Sequence, residues 1–147
     1  MAIESNIQAI ITDLYPDATY MLASKFRANI DSFDVASTDL PLIILDNELT
    51  KNNSIAENGS INKDTRIVIY CLDQDSVENT DVQTNTIQQA MELIADRIAL
   101  RIFRLANVFP VGSQKYKTTK LFHMFNTDLS GVALEMNVIE NNLISCE

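Results

Sequence analysis

The densest group of carboxylates in the chain is Asp73-Gln74-Asp75, with Glu78 and Asp81 close behind, a set that could hold a hard cation such as calcium on a tight turn. Its spacing fails that chemistry. Counted from Asp73, the fifth position is Val77, the sixth is Glu78 where the sharp turn needs glycine, and the twelfth is Thr84 rather than a bidentate glutamate. These acids suit a solvated loop entering a helix, whose N-terminus favours negative charge. His123 is the sole histidine, so any acid–base couple or triad using histidine would have to be built around it. It lies between Phe122 and Met124 in a strand-like stretch, and no Gly-x-Ser-x-Gly motif supplies a nucleophile. Zinc wants clustered thiolates and imidazoles, whereas Cys71 and Cys146 stand far apart in the chain. With 3 glycines in 147 residues, phosphate-cradling loops have little to work with. No catalytic, cofactor-binding or metal-binding residue is assigned, and the expectation is a protein that is not an enzyme and takes no cofactor.

The remaining chemistry is basic. Arg97, Arg101 and Arg104 share a helix face, and Lys115, Lys117 and Lys120 follow, with no acid between Asp96 and Asp128. Aromatic interleaving, helix-turn-helix spacing and a glycine-lysine motif are all missing, so nucleic acid is disfavoured against a salt-bridging face between subunits or a plain solvated face. A guanidinium fork meets carboxylates bidentately, and the rest of the chain is rich in them. Residues 1–96 hold 5 basic and 16 acidic side chains, and residues 97–147 hold 6 and 4, for a formal net charge of −9. An acidic part and a mildly basic part in one chain can pack head to tail between copies.

These residues must be carried by a single domain, given the length and a composition of 46% hydrophobic and 21% charged residues. Two cysteines and the lack of a secretory leader before the first helix suggest a reducing compartment, and no apolar run is long enough to cross a bilayer. Ile7, Ile10, Ile11 and Leu14 recur at helical spacing and predict a short helix over 4–14, closed by Tyr15-Pro16. Asp17 to Ser37 supports either short strands or a helical turn. Pro41 to Asp46 predicts a buried strand. Glu48–Ile55 and Ile61–Leu72 flank Asn58-Gly59, which predicts a hairpin with a tight turn, anchored at its base and projecting at its polar tip. A six-turn helix is expected from an N-cap at Thr84 or Thr86 to about Asn107, its apolar stripe made of Ile87, Ala90, Met91, Ile94, Ile98, Ile102 and Leu105. Phe109 to Gly112 reverses the chain. Lys115–Phe125 and Val132–Ile139 read as strands joined by a turn at Asp128-Leu129-Ser130-Gly131. The expected class is α+β: a mostly antiparallel sheet, one long helix, a short N-terminal helix and a projecting hairpin.

The opening helix, the Pro41-Leu42-Ile43-Ile44-Leu45 strand, the long hairpin at Asn58-Gly59, the single long helix and the closing strands around Leu129-Ser130-Gly131-Val132 resemble, in that order, small ring proteins of tailed bacteriophages. The chain is similar to tail terminators, tail-completion proteins and head-to-tail connector rings, and in its asparagine-rich texture to virion structural proteins of crAss-like phages. The resemblance implies a virion protein assembled in the host cytoplasm. It implies copies in a sixfold or twelvefold ring, with portal, adaptor or tail rings as neighbours and genomic DNA passing through the lumen without specific binding. The interface residues expected on this reading are Lys51, Asn53, Asn58, Gly59 and Lys63 on the hairpin and Arg97, Arg101 and Arg104 on the long helix. The alternative is a small soluble adaptor whose hairpin binds a partner protein, with no virion role.

Overall fold

The computed structural model describes residues 3–23, 41–46, 50–55, 57, 59–74, 81–104, 116–124 and 129–143. In chain order these form α1 (Ile3–Leu14), β1 (Thr19–Ala23), β2 (Leu42–Asp46), β3 (Thr50–Ile55), β4 (Ser60–Gln74), α2 (Asp81–Arg104), β5 (Tyr116–Met124) and β6 (Leu129–Leu143). The fold is α+β, as its hydrophobic periodicity predicts. Six strands make one sheet in the order β1-β2-β4-β6-β5, with β3 pairing β4 beside this path. Among the described strands β1 and β2 run parallel and the other pairings are antiparallel. β4 and β5 therefore run the same way, joined through α2 and separated by β6, which is a split β-α-β arrangement.

Strand alternation explains how the sheet fills. Ile67, Ile69 and Cys71 of β4, Ile43 and Leu45 of β2, and Val132, Leu134, Met136 and Val138 of β6 point to the helices. There they meet Ile7, Ile10 and Ile11 of α1 and Met91, Ala95, Ile98, Ala99 and Ile102 of α2. The intervening residues Leu42, Ile44, Tyr70, Leu72 and Leu129 form a second buried cluster on the opposite face. A strand apolar on both faces reads as a continuous hydrophobic run, and each fully buried Ile or Leu stabilises by about 1.5–3 kcal/mol.

Several expectations change. Thr84 and Thr86 lie inside α2 and are not its caps, since the helix begins at Asp81; Thr86 Oγ1 donates to the Val82 carbonyl at 3.0 Å, a back-bond open to threonine within a helix. Ala90 is exposed, while Gln88 is buried and donates from Nε2 to the Leu121 carbonyl at 3.0 Å. The inward phase of α2 is set by Gln88, Met91, Ala95, Ile98, Ala99 and Ile102, because small alanines let the helix approach the sheet closely. Leu105, Asn107 and the reversal at Phe109–Gly112 lie outside the described residues. Of Asp17–Ser37, Tyr20-Met21-Leu22 is strand, and 24–37 lies outside the described residues.

The Asn58-Gly59 hairpin exists with its expected inner ends, Ile55 pairing with Ile61 across residues 56–60. Gly59 takes φ 83°, a conformation glycine adopts without the steric penalty of a Cβ. Leu129, Ser130 and Gly131 are not a turn. They open β6, which runs on to Leu143 and pairs with all fifteen residues of β4. Gly131 is needed for close approach: a Cβ there would stand 1.9 Å from the Cys71 carbonyl oxygen.

Candidate functional site

The expected interface residues fall in two places. The first is the far end of the sheet, where β3, the start of β4 and the end of β6 make a three-stranded arm. Asn53 pairs in register with Lys63, and Lys63 with Glu140; Lys51 pairs with Thr65. The full row Lys51-Asn52-Asn53-Ser54-Ile55 is exposed, Ile55 to 77%. Among the described residues β3 has a partner strand on one side only, which makes it an outer strand of the arm. Gly59 is half-buried in the connection; Asn58 and the side chain of Lys63 lie outside what is described. The hairpin of the sequence reading is thus stiffened by a third strand that its polar composition concealed.

The second place is the C-terminal half of α2. Arg97, Leu100, Arg101 and Arg104 line a cleft of ≈ 150 Å³ with Leu14 at the end of α1. Arg101 Nη1 donates to Asp13 Oδ2 at 2.9 Å. The pairing has a local cause: α1 has no basic residue in its last turn and carries Asp13 there, against its own dipole, and Arg101 supplies the missing positive charge. Arg101 and Arg104 also favour the last turn of α2 by the same effect. Arg97 and Arg104 are exposed and have no ion-pair partner among the described residues.

The lysines of the sequence reading do not extend this row. Lys120 Nζ donates to Asn85 Oδ1 at 2.9 Å near the other end of α2, and Lys117 lies opposite Glu135 on the sheet face turned away from the helices. Alternation along β5 separates them, and Lys115 lies outside the described residues. The same strand fastens α2 by two further contacts, Tyr116 OH donating to Asp96 Oδ1 at 2.8 Å and Thr118 Oγ1 to Glu92 Oε1 at 3.4 Å. The bond to Asp96 raises the Tyr116 pKa. These bonds turn α2 so that its arginines face outward.

Residues with intrinsic reactivity are placed differently. Cys71 is fully buried, and burial pushes its thiol up to about 12. Burial, with the Glu4 charge behind it, likewise pushes Tyr20 up to about 12. Asp73 is half-buried at the end of β4; Asp75 and Glu78 lie outside the described residues, as does the side chain of His123 in β5. Among the described residues no three His, Cys, Asp or Glu side chains come together as a metal site, and no helix is long and apolar enough to cross a membrane. Compared with known protein families and with curated proteins, the chain matches no family model and no curated sequence.

Proposed function

We propose that this chain is a structural subunit of a homo-oligomeric ring, of the kind found in the head-to-tail connector or tail of a bacteriophage, and that its work is geometric rather than catalytic. The observation that carries the reading is the three-stranded arm, with its polar outer strand β3 exposed to solvent from Lys51 to Ile55 and outside the buried core. A rigid arm of this kind engages a neighbouring subunit, and polar side chains with a lysine keep it from indiscriminate aggregation beforehand. The exposed Arg97 and Arg104 offer a second contact, complementary to the acidic remainder of the chain. In a ring around passing DNA, a net charge of −9 lets the duplex slide, whereas a basic wall would hold it through counterion release.

The test is electron microscopy of the purified chain, alone and with portal, adaptor or tail-ring proteins. Rings or stacked tubes are expected, with Lys51→Glu/Asn53→Asp and Arg97→Glu/Arg104→Glu variants reduced in assembly but folded. A chain that stays monomeric in every mixture would overturn the ring and favour a monomeric adaptor. A ring whose inner wall proved strongly basic would overturn the sliding wall alone.

A further inference from the structure

The cleft between the ends of α1 and α2 holds more positive charge than the fold uses. Arg97, Arg101 and Arg104 line it with Leu14 and Leu100, and no carboxylate is among its lining residues. Two of these arginines have a structural role. Arg101 bonds Asp13, and Arg104 stands in the last turn of α2, where the helix dipole favours a cation. Arg97 lies about two turns from that end, beyond the reach of the dipole, and has no ion-pair partner among the described residues. Arg101 is four residues from Arg97 and three from Arg104, and like charges at these spacings destabilise a helix. The cluster therefore weakens the fold unless an anion neutralises it. We propose that this cleft is a binding site for a phosphate group, taken as free phosphate or as the end of a small phosphomonoester.

Charge, size and lining select this ligand. Three guanidiniums less the Asp13 carboxylate leave two positive charges, a match for the about −1.5 to −2 that a phosphomonoester carries at neutral pH, whereas a single carboxylate would neutralise half of them. The cleft measures about 150 Å³, room for several waters and so for one phosphate group. Guanidinium forks meet phosphate oxygens bidentately, and the bond from Arg101 to Asp13 engages one of its five N–H donors. Leu14 and Leu100 add an apolar wall for an organic substituent on the phosphate. A duplex fits less well, because the lysines that would continue a track for its backbone are placed elsewhere, Lys120 on Asn85 and Lys117 opposite Glu135. The site goes beyond the ring reading, which uses Arg97 and Arg104 only as a second contact.

Calorimetric titration of the full chain with inorganic phosphate and with phenyl phosphate, against acetate at equal ionic strength, tests the site. Both phosphates should saturate at one per chain with a Kd of about 1 mM or tighter, and acetate should not. Phenyl phosphate binding about threefold tighter or more identifies an organic phosphomonoester as the ligand, and equal affinities identify free phosphate. Arg97→Gln and Arg104→Gln should each weaken binding by about tenfold or more, the loss of one charge-assisted contact, with unchanged circular dichroism spectra because both side chains are exposed. Arg97→Gln should also raise the Tm of the phosphate-free chain at low salt, the opposite of what a merely structural arginine would do. The arm variant Lys51→Glu/Asn53→Asp should bind phosphate as the parent chain does, so a failure of the ring leaves this site standing. No saturable binding of either phosphate, an equal response to acetate, an affinity indifferent to Arg97→Gln and Arg104→Gln, or a lowered Tm for Arg97→Gln would each overturn the proposal.

Discussion

Strand β4 is one continuous ladder against β6, but its two halves live in different surroundings. From Ile67 to Leu72 its side chains enter the two buried clusters on either face of the sheet. At Asp64 and Arg66, and along the paired strand β3 from Lys51 to Ile55, side chains are exposed. Backbone pairing is equally regular in both halves. Hydrogen bonding therefore shapes the whole strand, while burial stabilises only one half of it, which leaves the other half free to be polar and to meet something else.

The largest contrast is expected from truncating one side chain in each half. Ile69→Ala, at a fully buried position, should cost about 3–4 kcal/mol in urea denaturation, from lost transfer energy and the cavity left behind. Asn53→Ala in the arm should stay within about 0.5 kcal/mol. Equal losses would mean that the arm is part of the core.

Two glycines sharpen the comparison. Gly131→Ala would drive a Cβ into the Cys71 carbonyl and force β4 and β6 apart, for a loss of about 2–3 kcal/mol. Gly59→Ala strains only the connection at the arm's end, through its φ of 83°, and should lower stability by about 1 kcal/mol. Thermal unfolding of both variants checks the order. The sequence led to the same expectation for both positions, with opposite outcomes: Gly59 was legible as a turn glycine because it follows asparagine between extended runs, but Gly131, in Asp-Leu-Ser-Gly, has equally good turn chemistry and is strand. What separates them is a non-local contact, the approach of β4, which no local pattern encodes. The same holds for the end of β6, where Glu140-Asn141-Asn142 has poor strand propensity and is held by its ladder to Lys63-Asn62-Ile61. In the arginine cleft, the helical spacing of Arg97, Arg101 and Arg104 was legible, and their separation from Lys117 and Lys120 was not. It depends on the pairing of β5 with β6 and on which face of α2 Gln88 and Asp96 fasten inward.

Thr65 marks the boundary between the halves. It is fully buried, opposite Val138, and its Oγ1 has no hydrogen-bond partner. Thr65→Val keeps the shape and removes an unsatisfied hydroxyl, so it should stabilise the domain by about 1 kcal/mol in the same denaturation experiment. A loss of stability would show that the hydroxyl is satisfied in solution and that the core ends before this residue.

The smallest expected effect lies on the sheet face away from the helices, where Arg66 Nε donates to Glu135 Oε1 across β4 and β6. The hydrogen bond from Arg66, and then its charge together with that of Lys117, holds the Glu135 carboxyl below its ordinary value of 4.5. A carboxyl with a lowered folded pKa contributes stability above its unfolded pKa, and that contribution is lost as pH falls through the folded one. The pair is substantially solvent-exposed, so solvent screening keeps its contribution under about 1 kcal/mol. Glu135→Gln should therefore differ from the parent chain by less than that amount at pH 7 and coincide with it once pH falls below the folded pKa, when the parent carboxyl is also neutral. A difference that persisted in acid would mean that Glu135 acts through packing between the strands, and that this face of the arm's root is held together as the core half is.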